Sequence, residues 1–292
     1  MQAFNSELFL TTSEAAELLE VHPSTVKRWT DAGELVSDKT EGGHRRIYLR
    51  DLLEFNGGTW LAPFTPFESH VWLAVRDALR HDDYARIVSL AYGWLLRGHA
   101  GRISALVRDL GSRPDLPFER LCDEAIQPLM EEVGMAWRDG RLRIGEEHLA
   151  SHAVMEGLFQ LTRDESRDDA PVAVVGSMEG NRHEIGALCI RILLERAGWK
   201  VHFVGADTPP DEFAALQRTR KADLVCVSFS PACPVGQMRR CFEVLSEFYR
   251  PERPYDLVFG GKGTDAVEDE GPFRAFRISP GVEGFSAWIQ KR

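Results

Sequence analysis

Residues 172–197 read VAVVGSMEGNRHEIGALCIRILLERA, and this stretch decides the fold of the last third of the chain. Residues 172–176 form an apolar run of strand length, and residues 184–197 have the apolar spacing of a helix. The loop between them carries His183. In a parallel sheet such a loop lies at the carboxyl edge, where open α/β folds bind their ligands. Because neutral imidazole is the commonest protein ligand for metals, His183 is a candidate metal ligand.

The same alternation of short apolar runs and helical stretches continues toward the C-terminus. It predicts a parallel sheet covered by helices on both faces, and five strands fit the flavodoxin-like order 2-1-3-4-5. The predicted strands are 172–176, 201–205, 224–228, 257–260 and 276–279. The predicted helices are 184–197, 210–220, 235–249 and 282–291.

Small and polar residues follow three of these strands. They allow a large planar or tailed ligand to approach the backbone closely. These residues form the pattern Asn181-x-His183-x-x-Gly186, then Ser228-x-Ser230, then Gly260-Gly261. That pattern resembles the cobalamin-binding domain of methionine synthase, of corrinoid carriers and of adenosylcobalamin mutases.

That resemblance implies that His183 is the lower axial ligand of cobalt and replaces the cofactor's own dimethylbenzimidazole base. The nucleotide tail then enters the sheet beside Ser228, Ser230, Gly260 and Gly261. Relatives carry an acid at the position of Asn181, and an amide can orient an imidazole but cannot share its proton, which predicts weaker ligation. The alternative is a degenerate domain that keeps the fold without a corrinoid.

Two short helices are predicted near the start of the chain. Thr11 and Glu14 fit a capping box at the beginning of the first helix. Pro23 suits the first position of the second helix, and Gly33 suits its end. Two helices joined by a tight turn form a helix-turn-helix, whose second helix enters the major groove of DNA.

A hairpin, which we call the wing, is predicted after these helices. Its strands are expected at 35–36 and 46–48, around the glycine-rich tip 41–44. Residues TTSEAAELLEVHPSTVKRWTDAGEL and GGHRRI resemble the winged helix-turn-helix of MerR-type and excisionase-type regulators. The predicted DNA contacts are Ser24, Thr25, Lys27, Arg28, His44, Arg45 and Arg46. Because acidic residues outnumber basic ones over 1–57, the alternative is a helical domain that binds protein.

The middle of the chain, 66–163, predicts a four- or five-helix bundle. Trp137 precedes the pair Glu147-His148 by ten residues, across a turn. The spacing alone favours a structural interpretation, with Trp137 in the core and Glu147-His148 on a solvent-exposed helix face. The same spacing resembles the Trp-x9-Glu-His motif of CarH/LitR photoreceptor regulators, and because of that resemblance we prefer a functional interpretation. It implies that Trp137, Glu147 and His148 cap the upper face of the corrin.

The order of the three parts also resembles the CarH/LitR group. The resemblance implies a DNA-binding domain at 1–57, a capping bundle at 66–163 and a cobalamin-binding Rossmann-like domain at 171–292. It implies adenosylcobalamin as cofactor, and a repressor rather than an enzyme. This repressor binds operator DNA in the dark as a homo-oligomer, a dimer or a tetramer, and releases DNA when light breaks the Co–C bond. Light-sensing relatives have a cobalt-ligating histidine where this chain has Arg138, which cannot ligate a metal.

Composition narrows the class of protein. The net charge of −10 argues against a protein that coats nucleic acid, but it allows a small DNA-reading module. The five cysteines form no C-x-x-C pair, no apolar run reaches the ~18 residues of a membrane span, and the N-terminus lacks a secretory pattern. We expect a reduced, cytoplasmic protein. Two other functions stay open: a corrinoid-carrier or methyltransferase-type subunit, and a regulator whose degenerate domain senses another ligand.

Overall fold

The structure is a computed structural model. It describes residues 9–19, 21–40, 42–48, 51–52, 55, 69–163, 167–229, 233–261, 264–266, 271–278 and 281–291. The chain forms two compact units, Met1–Ile87 and Val88–Arg292. Each unit is described by itself below.

The first unit contains the predicted pair of helices, α1 (Thr12–Leu18) and α2 (Pro23–Asp31). The capping box is confirmed, since the Thr11 N–H donates to Glu14 Oε2 at 2.7 Å and the Glu14 N–H donates to Thr11 Oγ1 at 3.2 Å. A small apolar core fixes the angle between the helices. Its buried members are Ala15, Ala16, Leu19, Val26, Leu35, Ile47 and Leu52.

Three short strands, β1 (Phe9–Leu10), β2 (Asp38–Lys39) and β3 (Arg45–Tyr48), pair antiparallel in the order β1-β3-β2. The second wing strand is therefore confirmed, whereas the prediction of the first strand at 35–36 is wrong. Leu35 is only 1% exposed because it packs into the core under the helices, and its N–H donates to the Trp29 carbonyl at 3.2 Å. β1 has only two residues, too few to show a periodicity in the sequence.

The middle of the chain is helical, as predicted. The π-helical turn Leu121–Ile126 joins α6 (Phe118–Arg120) directly to α7 (Gln127–Arg138). In the second unit α5 (Ala100–Gly111) packs closely on α8 (Ile144–Phe159), because Gly157 leaves room for the neighbouring backbone. A Cβ at position 157 would lie 2.6 Å from the Ser104 carbonyl oxygen. The helices are α3 (Ser69–Arg80), α4 (Tyr84–Leu96), α5 (Ala100–Gly111), α6 (Phe118–Arg120), α7 (Gln127–Arg138) and α8 (Ile144–Phe159).

The last third of the chain forms a five-stranded parallel sheet. The strands are β4 (Val172–Met178), β5 (Lys200–Thr208), β6 (Leu224–Ser228), β7 (Asp256–Gly260) and β8 (Arg274–Ile278). Their order in the sheet is β5-β4-β6-β7-β8, which is the predicted order 2-1-3-4-5, and the fold class is confirmed. The helices are α9 (Ile185–Arg196), α10 (Pro210–Arg220), α11 (Val235–Phe248) and α12 (Glu283–Ile289).

A carboxylate in the helical middle of the chain contacts the start of the last helix, α12. Asp123, in the π-helical turn, accepts hydrogen bonds from the N–H of Val282 at 2.9 and 3.0 Å and from the N–H of Glu283 at 3.2 Å. It thereby caps the exposed N–H groups at the start of α12. Gly281 makes this approach possible, because a Cβ there would overlap the Asp123 carboxylate. Among the described residues, no helix has both the length and the apolar character needed to cross a membrane.

Candidate functional site

His183 lies on the loop between β4 and α9, at the carboxyl edge of the sheet. Its backbone is held on both sides: the His183 N–H donates to Asn181 Oδ1 at 3.0 Å, and the His183 carbonyl accepts from Ser177 Oγ at 2.9 Å. The residue is nevertheless exposed. The structure therefore presents the imidazole to solvent from a fixed position in the backbone.

Asn181 links this loop to the neighbouring strand. It is only 2% exposed, and its Nδ2 donates to the Ser228 carbonyl at the end of β6 at 3.2 Å. Both polar atoms of the amide therefore bond to main-chain groups, and neither contacts the imidazole of His183. Asn181 positions the histidine through its backbone, which differs from the imidazole-orienting role expected from the sequence.

Replacing Asn181 with Asp removes the donor that Ser228 needs. A carboxylate can still accept from the His183 N–H, but its other oxygen then faces the Ser228 carbonyl in a buried position. We expect Asn181→Asp to lower the free energy of unfolding by about 1–3 kcal/mol at neutral pH, the usual cost of an unsatisfied buried polar group. Denaturant unfolding measures this loss, and Asn181→Asp with unchanged stability would contradict the assigned contact.

The loss of stability in Asn181→Asp should depend on pH. The new carboxyl is buried beside a carbonyl oxygen, so its pKa in the folded state should lie above the unfolded value. The folded protein then binds more protons than the unfolded chain between the two pKa values, and stability falls as pH rises through this window. Lowering the pH should protonate the carboxyl, restore a donor toward Ser228 and reduce the difference from wild type.

Asp207 is a further residue that holds this loop, and the sequence did not single it out. Its carboxylate accepts from the Gly180 N–H at 2.7 Å, and its own N–H donates to the Asn181 carbonyl at 3.0 Å. Asp207 has a φ of 54°, a left-handed conformation that aspartate tolerates better than most residues. An acid two residues after the predicted strand 201–205 is the signal that could have identified it.

The predicted small residues divide into two groups. A Cβ at Gly186 would meet only Ser228 Oγ, at 3.6 Å, so these two residues border a cradle that a side chain would narrow. Gly261 has a φ of 126°, and a Cβ there would overlap the Phe229 carbonyl oxygen. Gly260 lies close to β8, with a Cβ position 3.0 Å from Ile278 Cβ. Packing inside the domain thus requires glycine at 261 and leaves little room for a side chain at 260, whereas Gly186 keeps the surface open. Ser230 lies outside the described residues.

The predicted upper residues lie on α7 and α8. Trp137 is 47% exposed in the last turn of α7, so it is not the core residue that spacing alone favours. Glu147 is half-buried and accepts from Ser151 Oγ at 2.8 Å. His148 is exposed, with its Nε2 3.6 Å from Glu147 Oε2. A fixed carboxylate and an exposed indole therefore lie on neighbouring helices.

Contacts between the layers relate these helices to the His183 loop. The C-terminal end of α8 lies beside β5, with the Phe159 and Phe203 ring centroids 6.4 Å apart. The Arg163 N–H then donates to Glu195 Oε2, near the C-terminal end of α9, at 2.7 Å. Since α8 also packs against α9, we infer that the two N-terminal ends point toward the same edge of the sheet. In the described part of the chain, no hydrogen bond or ion pair joins Trp137 or Glu147 to the His183 loop.

The predicted DNA contacts lie on α2 and on the wing. Lys27 and Arg28 are exposed on α2, and Ser24 and Thr25 lie in its first turn. On the wing His44 and Arg46 are exposed, whereas Arg45 forms an ion pair with Asp31. The first unit thus presents positive side chains from both of the elements that the sequence predicts to contact DNA.

The site residues fit a large cofactor that carries its own metal. The described residues contain no group of three or more His, Cys, Asp and Glu that could hold a metal ion. His183 is a single exposed imidazole beside the cradle at Gly186 and Ser228, and this arrangement suits one axial position of such a metal.

Comparison with known families defines the class of the chain. A helix-turn-helix domain matches residues 9–55, and two B12 binding domains match residues 93–162 and 171–273. The chain therefore joins a helix-turn-helix domain to cobalamin-binding domains. The predicted resemblance to regulators built from these parts is confirmed.

Individual relatives point in two directions. The chain is 34% identical over 149 residues to the HTH-type transcriptional repressor CarA of Myxococcus xanthus, a match that covers 51% of this chain and 49% of that protein. It is 26% identical over 162 residues to dimethylamine corrinoid protein 3 of Methanosarcina acetivorans, covering 54% of this chain and 76% of that protein. The chain thus spans about half the length of CarA. A solved monomethylamine corrinoid protein of Methanosarcina barkeri shares 18% identity with a TM-score of 0.45, over 74% of this chain and 93% of that one.

Proposed function

We propose that the chain is a transcriptional regulator whose DNA binding is controlled by adenosylcobalamin. One observation carries the proposal: an exposed imidazole, held at both backbone groups, stands beside an open cradle in a chain that also has a DNA-binding domain. Such a protein binds its cofactor and DNA and changes between two conformational states, and it performs no catalysis. The ligand biases one of two arrangements through contacts that differ between them.

The residues have distinct roles in this proposal. His183 would hold the cobalt of the cofactor, and Asn181 with Ser177 fixes the backbone of His183. Gly186 and Ser228 border the space for the nucleotide tail, and Gly260 and Gly261 would line it further along the same edge. Ser230 belongs to the same predicted set, and its position lies outside the described residues. Trp137, Glu147 and His148 would cover the cofactor from α7 and α8. The indole would exclude water, and the carboxylate held by Ser151 would accept hydrogen bonds from the adenosyl group. When bound, the cofactor supplies a Co–C bond that green or shorter-wavelength light can break.

Domain organisation and assembly form part of the proposal. We assign DNA binding to 1–57, capping to 66–163 and cofactor binding to 171–292. The dark form is a homo-oligomer, a dimer or a tetramer, whose DNA-binding domains engage operator DNA together. We expect illumination to release α7 and α8, to separate the oligomer and to lift repression. Arg138 cannot act as a new upper ligand, so the state after illumination depends on other groups such as His148.

The second candidate function is a corrinoid carrier, which the match to dimethylamine corrinoid protein 3 favours. A carrier transfers a methyl group to partner enzymes, and this role does not require a DNA-binding domain. Trp137 is exposed, and an indole that covered the cofactor would suit a retained adenosyl group better than a transferred methyl group.

Reconstitution in darkness tests the proposal. The full chain is mixed with adenosylcobalamin or methylcobalamin, freed of excess cofactor by gel filtration, and its absorption spectrum is recorded. We expect close to one corrinoid per chain, with adenosylcobalamin retained better than methylcobalamin. Failure to retain any corrinoid would contradict the proposed function, and a preference for methylcobalamin would favour the carrier.

A further inference from the structure

The two arginines of the wing point to opposite faces of β3. Side chains alternate along a strand, so Arg45 shares a face with Ile47, and Arg46 shares the other with Tyr48. Ile47 is fully buried in the core of the first unit. The face that carries Arg45 is therefore turned toward the helices, and only 15% of the Arg45 side chain is exposed.

Arg45 meets a partner on the recognition helix. Its Nη2 contacts Oδ1 of Asp31, the last residue of α2. An acid at the C-terminal end of a helix opposes the helix dipole, so Asp31 gains from a cation beside it. This ion pair joins the wing to the end of the helix that enters the major groove.

Arg46 has a different environment. It lies on the outer face of β3, where its guanidinium carbon is 4.4 Å from the centroid of the Phe9 ring. Phe9 belongs to β1, the strand that the sequence did not predict. A guanidinium stacked on a ring keeps its N–H groups at the edge, where a phosphate can accept from them.

We propose that Arg45 is a positioning residue that fastens the wing to the recognition helix, and that Arg46 makes the phosphate contact. This inference rests on the proposed DNA binding. It assigns different roles to two neighbouring arginines that the sequence analysis predicted to have the same role. Arg45 then affects affinity by fixing the angle of the wing, and its charge is already neutralised by Asp31.

Salt dependence distinguishes the two roles. The full chain with adenosylcobalamin is titrated in darkness onto a 30-bp duplex of random sequence at several salt concentrations. Each lost phosphate contact lowers the slope of log affinity against log salt by about 0.9. We expect Arg46→Gln to lose about this much slope, whereas Arg45→Gln weakens binding without changing the slope.

The variant Asp31→Asn distinguishes the two possible roles of Arg45, because each role predicts an opposite change in DNA affinity. If Arg45 positions the wing, Asp31→Asn weakens DNA binding. If Arg45 contacts phosphate, the same change frees Arg45 and strengthens DNA binding. The exchanged pair Asp31→Arg with Arg45→Asp should recover the affinity lost in Arg45→Gln. Equal slope losses in Arg45→Gln and Arg46→Gln, or tighter binding by Asp31→Asn, would overturn the inference. No binding by the wild-type chain would instead overturn the proposed function.

Discussion

Replacing His183 with Ala is expected to lower cobalamin retention at least tenfold while the domain stays folded. The side chain is exposed, and its backbone hydrogen bonds to Asn181 and Ser177 do not depend on the imidazole. Changes to groups that only orient a metal ligand already cost about 10–100-fold in affinity, so loss of the ligand itself should cost no less. The rate of corrinoid release after gel filtration measures the effect.

The matched control for this variant is His99→Ala, since His99 is exposed in the loop before α5. It should retain cofactor like wild type. Thermal unfolding of both apo variants should match the wild-type protein. If His183→Ala releases corrinoid at the wild-type rate, the assignment of the lower ligand is wrong.

Two glycines of the candidate site should respond in opposite ways to alanine. In Gly261→Ala the new Cβ overlaps the Phe229 carbonyl oxygen, and a φ of 126° is unfavourable for any L side chain. We expect a loss of about 3–5 kcal/mol in the free energy of unfolding, from backbone strain and overpacking together. Denaturant unfolding of the apo protein measures it.

Gly186→Ala is the counterpart of this change. Its Cβ would make only an ordinary contact with Ser228 Oγ at 3.6 Å, so stability should change by less than about 1 kcal/mol. The methyl group narrows the cradle, and cobalamin retention should fall. If Gly186→Ala retains cobalamin like the wild-type protein, the surface at Gly186 and Ser228 is not part of the cofactor site. If Gly261→Ala is as stable as the wild-type protein, the assigned close contact of Gly261 with Phe229 is wrong.

Elements with a strong local signal were predictable from the sequence. The order of the parallel sheet followed from the alternation of apolar strands with helices, and the capping box of Thr11 and Glu14 followed from their spacing. His183 was placed correctly at the carboxyl edge because strand, loop and helix follow one another directly in the chain.

Features that depend on distant contacts were not predictable. The first wing strand was misplaced because Leu35 packs into a core formed by residues of both helices, which its neighbours in sequence do not reveal. The amide of Asn181 bonds to Ser228, which lies 47 residues away in the chain. The exposure of Trp137 likewise depends on how the C-terminal end of α7 packs against neighbouring elements. The sequence spacing between Trp137 and Glu147 does not reveal it.

The central claim is that the cofactor controls DNA binding, and one measurement tests it most directly. Fluorescence anisotropy gives the affinity of the full chain for a labelled 30-bp duplex as apo protein, with adenosylcobalamin in darkness, and after green illumination of the same sample. Because a cofactor-dependent oligomer binds through several DNA-binding domains, we expect dark holoprotein to bind at least about tenfold more tightly than apo protein. Illumination should remove this gain. Stoichiometric corrinoid binding with the same DNA affinity in all three states would contradict the account.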